Sequence, residues 1–292
     1  MTLPRHPLPA DTVSTAGLRR RWLLSAALLA RASPVRAARV LRHMQPSASD
    51  RFGRYVVRLL AEAIQRGRLD CTLQPLPVQR IIQGRLELEL AQPEGRADLM
   101  WAMASRQRET QVTAVRVPLD RGLIGWRVLV VRRDELPRWP RTLSLEQLQA
   151  RRAGQGLHWP DVDILRSNGL RVETGLDASA LYAMLRKGRI DYFPRSVLEV
   201  TDELTQLAAS DLAIVPGLLL RYPAASYVYL GTGTEALASP LADALRALAA
   251  DGRMRALFDE FFGAQLAALQ LPQRRAISLG NPLNPPGFTP ID

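Results

Sequence analysis

The sequence predicts an α/β protein of two lobes, each a mainly parallel sheet flanked by helices. Three observations carry that prediction. Apolar runs with strand and helix periods alternate in βαβαβ order from Ala38 onward. The alternation restarts after Val131, so the chain holds two such units rather than one. Between them, the stretch from Asp98 to Arg132 supplies two apolar strands, 99–104 and 126–131. A polar, arginine-rich elbow and a Pro-Leu-Asp-Arg-Gly-Leu turn separate these strands.

In chain order, residues 39–44 read as a short strand. Residues 52–66 put Phe52, Tyr55, Val56, Leu59, Leu60, Ala63 and Ile64 on one face at helical spacing, and Gly67 stops the helix. A strand at 71–76 and a second helix over 78–90 follow. Past the central stretch, Ser144 with Gln147 three residues on predicts a capped helix over 144–150. The turn Gly154-Gln155-Gly156 leads to a helix over 161–168, with Pro160 at its start and Gly169 at its end. The N-terminus of that helix is a place for backbone N–H groups to meet an anion. Strands are expected at 171–173, 190–193, 212–220 and 226–230, and helices at 178–187, 240–250 and 254–269. The Pro-rich tail, 271–292, is expected on the surface.

Composition narrows the function. With 47% hydrophobic and 23% charged residues in 292, the chain has the makeup of a globular protein with a sizeable core. The net charge of +11 raises nucleic acid as a partner, but the cations are almost all arginine, with Lys187 the single lysine, and they are scattered. No basic run or nucleic-acid-binding signature accompanies them, so nucleic acid is set aside. Cys71 is the lone cysteine, and His6, His43 and His158 lack ligand spacing, which argues against a metal centre. No nucleophile elbow, dinucleotide fingerprint or P-loop is present, and no cofactor is implied.

The N-terminus reads as an export signal. Arg19-Arg20-Arg21 precedes the apolar run 22–30, and Val35-Arg36-Ala37 offers small residues for cleavage near Ala37. The run is far shorter than the ~20 residues that span a bilayer, so a cleaved signal over 1–37 fits better than an anchor. Removing those residues takes away six Arg and one Asp and lowers the net charge from +11 to +6. The mature protein is expected to be periplasmic and monomeric.

The elbow Ser105-Arg106-Gln107-Arg108-Glu109 ends a buried strand, and an arginine there has the planar fork of donors that matches a carboxylate. Pattern alone leaves a solvated-loop reading of Arg106 and Arg108 open. Together, the export signal, the two α/β lobes, and the strand–SRxRE–loop–GxRVLVV crossing resemble the extracytoplasmic solute-binding proteins of family 3. These are amino-acid-type receptors of ABC transporters with the type II periplasmic-binding fold. The run Met184-Leu-Arg-Lys-Gly-Arg-Ile-Asp191 and the turn Asp251-Gly252-Arg253 also resemble segments of that family.

The resemblance implies a small-molecule ligand, an ABC permease as partner, and no catalysis, with two strands crossing between a first lobe of 38–126 plus 219–270 and a second of 127–218. It places Arg108 as the clamp for a ligand carboxylate, with Trp101, Met103 and Ser105 at the end of the first lobe's strand. It matches Gln155, Gly156, His158 and Trp159 to the second lobe's ligand loop, and Tyr192 and Arg195 to the strand after Asp191. Family members carry an acid near the position of Ser196, and here no acid appears until Glu199. A site with Arg108 and Arg195 and no opposing carboxylate is expected to favour an anionic or carboxylate-bearing ligand. Two other readings stand beside this one: a dehydratase-like enzyme on the same fold, with His158 or Glu109 as acid or base, and a sensor without a transporter.

Overall fold

The structure, a computed structural model, describes residues 38–77 and 83–288. The expected signal segment, 1–37, lies outside the described residues, as do 78–82, where the second helix was expected to begin. Asp50 starts α1 (Arg51–Gly67) by accepting a hydrogen bond from the Gly53 amide at 2.8 Å. The periodic face of α1 is then buried, with Tyr55, Val56, Leu59 and Leu60 at 0–1% exposure. Tyr55 anchors it twice. Its ring meets Phe258 and Phe262 edge-on at 5.5 Å, and its hydroxyl donates to the Leu119 carbonyl at 2.9 Å.

Around α1 the strands fall into two groups. In the first, β1 (Arg39–His43) pairs in parallel with β2 (Cys71–Pro75), and β11 (Ser226–Leu230) lies antiparallel between β3 (Leu99–Met103) and β4 (Thr113–Val115). In the second, β5 (Trp126–Arg132) is antiparallel to β8 (Phe193–Ser196), β9 (Leu212–Ile214) and β10 (Leu218–Arg221). The parallel pair β6 (Arg152–Gly156) and β7 (Arg171–Gly175) joins this group through a bridge from Ala153 to Tyr192. Helices α2 (Gln83–Leu90), α7 (Ala238–Ala250) and α8 (Arg253–Ala268) go with the first stretch of sheets, and α3 (Leu145–Gln149), α4 (Asp161–Ser167), α5 (Ala178–Arg186) and α6 (Val200–Gln206) lie along the second. Ser144 and Gln147 form the expected capping box on α3.

Three segments differ from the sequence reading, each for a backbone reason. The run 212–220 is two strands, because Pro216 and Gly217, with φ 67°, turn the chain between them. The strand expected at 190–193 starts at Phe193, because the amides of Asp191 and Tyr192 both donate to the Arg152 carbonyl. Part of the tail joins a sheet: β12 (Arg275–Ser278) extends the second group by pairing in parallel with β10, while 289–292 lie outside the described residues. The alternation of β12 sends Ile277 into the core at 7% exposure. Among the described residues, no helix is long and apolar enough to cross a membrane.

The chain passes between the groups over residues 116–125 and 222–225, and a third time over 269–274, from α8 to β12. The first two crossings touch where the Tyr222 amide donates to the Gly125 carbonyl at 3.1 Å. Asp120 pins the same junction. It is fully buried and accepts hydrogen bonds from the amides of Gly122 and Ser226, each at 3.0 Å. Burial outweighs those amides and pushes its pKa up to about 6.

A side chain at position 125 has no room, since a Cβ there would lie 2.1 Å from the Tyr222 carbonyl oxygen. Gly125→Ala is expected to cost about 3 kcal/mol in urea denaturation, because the obstacle is backbone in the opposite crossing. The folded protein holds the Asp120 proton up to about pH 6, while the unfolded chain releases it near 3.8. Stability from this group is therefore present at low pH and lost as pH rises through 6, by about 3 kcal/mol. Asp120→Asn should remove that component from the pH dependence of stability, which denaturation at pH 4, 5, 6 and 7 measures.

Candidate ligand-binding site

β5 carries an arginine inside an otherwise apolar run, Trp126-Arg127-Val128-Leu129-Val130-Val131, directly after the first crossing. The register with β8 and the approach of Tyr222 turn the Arg127 guanidinium inward, where it is 2% exposed. Its Nε donates to the Tyr222 hydroxyl at 2.7 Å, and its Nη2 lies 2.8 Å from Asp161 at the start of α4. The Tyr222 hydroxyl in turn donates to Asp161. Burial alone would lower the arginine's pKa, but Asp161, Tyr222 and Glu199 more than reverse this and hold it protonated. The Tyr222 hydroxyl is pushed well above its ordinary range by burial, so it stays a donor.

A second arginine sits one strand away. Arg195 on β8 is 6% exposed and grips Glu203 of α6 through two hydrogen bonds of 2.7 Å. Glu199 lies 3.0 Å from its Nη2, and its guanidinium stands 4.8 Å above the Trp159 ring. Burial raises the Glu199 pKa, and Arg195 only partly offsets it.

Between these pairs and the first strand group lies a cavity of about 210 Å³. Arg127, Asp161, Arg195, Glu199 and Trp159 form one wall, and Asp50, Phe52, Gln83, Trp101, Met103 and Ser226 form the facing one. It adjoins a second cavity of about 590 Å³ that shares Asp50, Gln83 and Trp101 with it, so the space suits a small molecule. α1 and α6 meet at its edge, where Arg51 holds Asp202 through hydrogen bonds of 2.7 and 2.6 Å.

Of the residues singled out from sequence, Trp101, Met103, Trp159 and Arg195 line this cavity. The others stand elsewhere. Arg108 is 3% exposed, and its guanidinium donates to Glu87 of α2 (3.0 Å from Nε) and to the Met103 carbonyl while lying 5.4 Å from the Tyr229 ring centre. Ser105 accepts from the Arg108 amide at 3.2 Å. Gln155 is buried and donates to the Pro194 carbonyl at 3.0 Å, tying β6 to β8. Gly156 leaves space for the Trp159 ring, which a Cβ would approach to 2.3 Å. His158 is exposed next to Gly84, and Tyr192 is core, edge-on to Trp139 at 5.4 Å.

Two expectations about charge are corrected. Arginines were expected without opposing acids, but Glu87 meets Arg108, Asp161 meets Arg127, and Glu203 with Glu199 meets Arg195. The start of α4 was expected to present amides to an anion. The Val162 and Asp163 amides instead donate to the carbonyls of Trp159 and Pro160 at 3.1 Å, and the Asp161 carboxylate already sits there. The residues missed were Asp50, Phe52, Gln83, Ile124, Arg127, Asp161, Glu199 and Ser226. Arg127 had a signal, a charge inside an apolar strand; Glu199 had one too, four residues after Arg195.

No protein-family model matches the sequence, and no curated protein matches it either. Solved structures do. An ancestral arginine-binding protein bound to glutamine is 16% identical with a TM-score of 0.57, covering 77% of this chain and 98% of its own. The Bordetella pertussis BvgS VFT2 domain, a double mutant, is 20% identical with a TM-score of 0.56, covering 76% and 93%. A mutant of ArgBP from T. maritima is 17% identical with a TM-score of 0.55, covering 78% and 96%. The chain thus has the two-lobed type II periplasmic-binding fold, at low sequence identity to these structures.

Arg108→Ala separates a ligand contact from a structural one. With its guanidinium buried against Glu87 and a carbonyl, the substitution should cost the ligand-free protein about 3 kcal/mol, read by urea denaturation. A stability unchanged within error would return Arg108 to the cleft.

Proposed function

We propose that the protein is an extracytoplasmic solute-binding protein that closes two lobes on one small molecule. The observation that carries this reading is the cavity itself, which is flanked by both strand groups beside the first two crossings and lined by buried charge pairs. A hinge at 116–125 and 222–225 opens and closes it. The lobe limits belong to the same reading: 38–115 with 226–270 form the first lobe, and 126–221 the second, to which β12 adds its strand. Likeness to proteins whose names record bound arginine or glutamine supports a small solute, as does the size of the cavity.

The protein acts as a monomer after export, delivers its solute to an ABC permease, and performs no chemistry. An enzyme reading loses support because Glu109 pairs with Arg116 and His158 is exposed, and neither lines the cavity. The signal over 1–37 supports export.

A class-by-class thermal-shift screen of amines, amino acids, carboxylates, phosphate esters and sugars should find one class that raises the melting temperature with concentration. Trp101 and Trp159 line the cavity, so the same solute should change tryptophan fluorescence. Trp101→Ala should weaken binding at least about tenfold with the protein still folded. Turnover of the bound compound would replace this reading with an enzyme.

A further inference from the structure

The cavity's charge balance decides what kind of solute it accepts. A ligand carboxylate needs a guanidinium that is not already matched. Arg108 is held by Glu87, outside the lining; Arg127 is neutralised by Asp161 at 2.8 Å; Arg195 is neutralised by the two-bond grip of Glu203. With those pairs counted, Glu199 and Asp50 remain on the lining as negative charge. Glu199 touches Arg195 with one oxygen, while the other is 4.0 Å from Arg127, beyond hydrogen-bond reach. Asp50 spends one oxygen on capping α1 and faces the same space.

Two neutral groups point the same way. The Ser226 hydroxyl is 1% exposed and lines the cavity beside the Asp120 carboxylate, so its oxygen can accept from a ligand while its proton turns to Asp120. Trp101 also lines the cavity and brings an aromatic ring, which can stack on a cation. With Arg127 and Arg195 matched by Asp161 and Glu203, a carboxylate entering here would meet the unmatched Glu199 and Asp50, whereas an ammonium would find acceptors.

We propose that the ligand of this cavity is a small amine: a molecule with an ammonium or guanidinium group and no carboxylate. Glu199, Asp50 and Ser226 accept its hydrogen bonds, and Trp101 covers its charge. The protein is therefore built against free amino acids, because each guanidinium on the lining already faces a carboxylate of the fold. This inference rests on the solute-binding reading above.

Calorimetric titration with matched probes tests it: cadaverine against L-lysine, agmatine against L-arginine, and glutarate. The expected result is that each amine binds at least tenfold more tightly than its amino acid, with no heat from glutarate. Glu199→Gln, and separately Asp50→Asn, which still caps α1, should each weaken the better amine at least tenfold. Amino acids binding as tightly as their amines, or glutarate binding, would overturn the amine assignment and leave the receptor reading standing. Silence from both amines would also overturn it, and the solute screen would then judge the receptor reading by itself.

Discussion

Arg127 enters the second strand group with its guanidinium out of water, and a charge held that way has to be met by partners that are themselves held. Asp161 supplies the opposite charge, and Tyr222 closes the triangle by accepting from the arginine and donating to the acid. The three come from places far apart in sequence: the strand after the first crossing, the start of α4, and the second crossing. Removing Arg127 or Asp161 would leave the other buried without its opposite charge, at a cost of several kcal/mol, so the network constrains both the crossing geometry and the wall of the cavity. Gly125 and Asp120, at the same junction, let the two crossings lie against each other.

The arginine content finds its explanation in this kind of pairing. Arg42 with Asp98, Arg51 with Asp202, Arg152 with Asp191 and Arg186 with Asp211 repeat on half-exposed ground what Arg127 and Arg195 do in the interior. Guanidinium suits the role because its fork meets a carboxylate through two parallel bonds and it keeps its charge when buried. Exposed pairs of this type contribute little each. The interior ones matter more, because they convert a chain rich in positive charge into a cavity with almost none to spare.

Much of the fold was legible in the sequence. The helical spacing of Tyr55, Val56, Leu59 and Leu60, the Ser144–Gln147 box and the alternation of strand and helix all reflect contacts within a few residues, and local periodicity records such contacts. The break at Gly217 and the role of β12 were less visible, since an apolar run does not say where the backbone turns or which edge it joins. Arg108 shows the limit most sharply. The family resemblance placed it as the clamp for a ligand carboxylate, but the direction of its guanidinium depended on Glu87 from a helix 21 residues away.

The sequence by itself determined an α/β chain whose strand–helix alternation restarts after Val131, because hydrophobic period, turn residues and order of elements are local properties. Only the tertiary structure decided which charges face the cavity. Asp50, Asp161 and Glu199 lie on three different elements, and the sum of charge around a cavity exists only once packing has brought those elements within a few ångströms of Arg127 and Arg195.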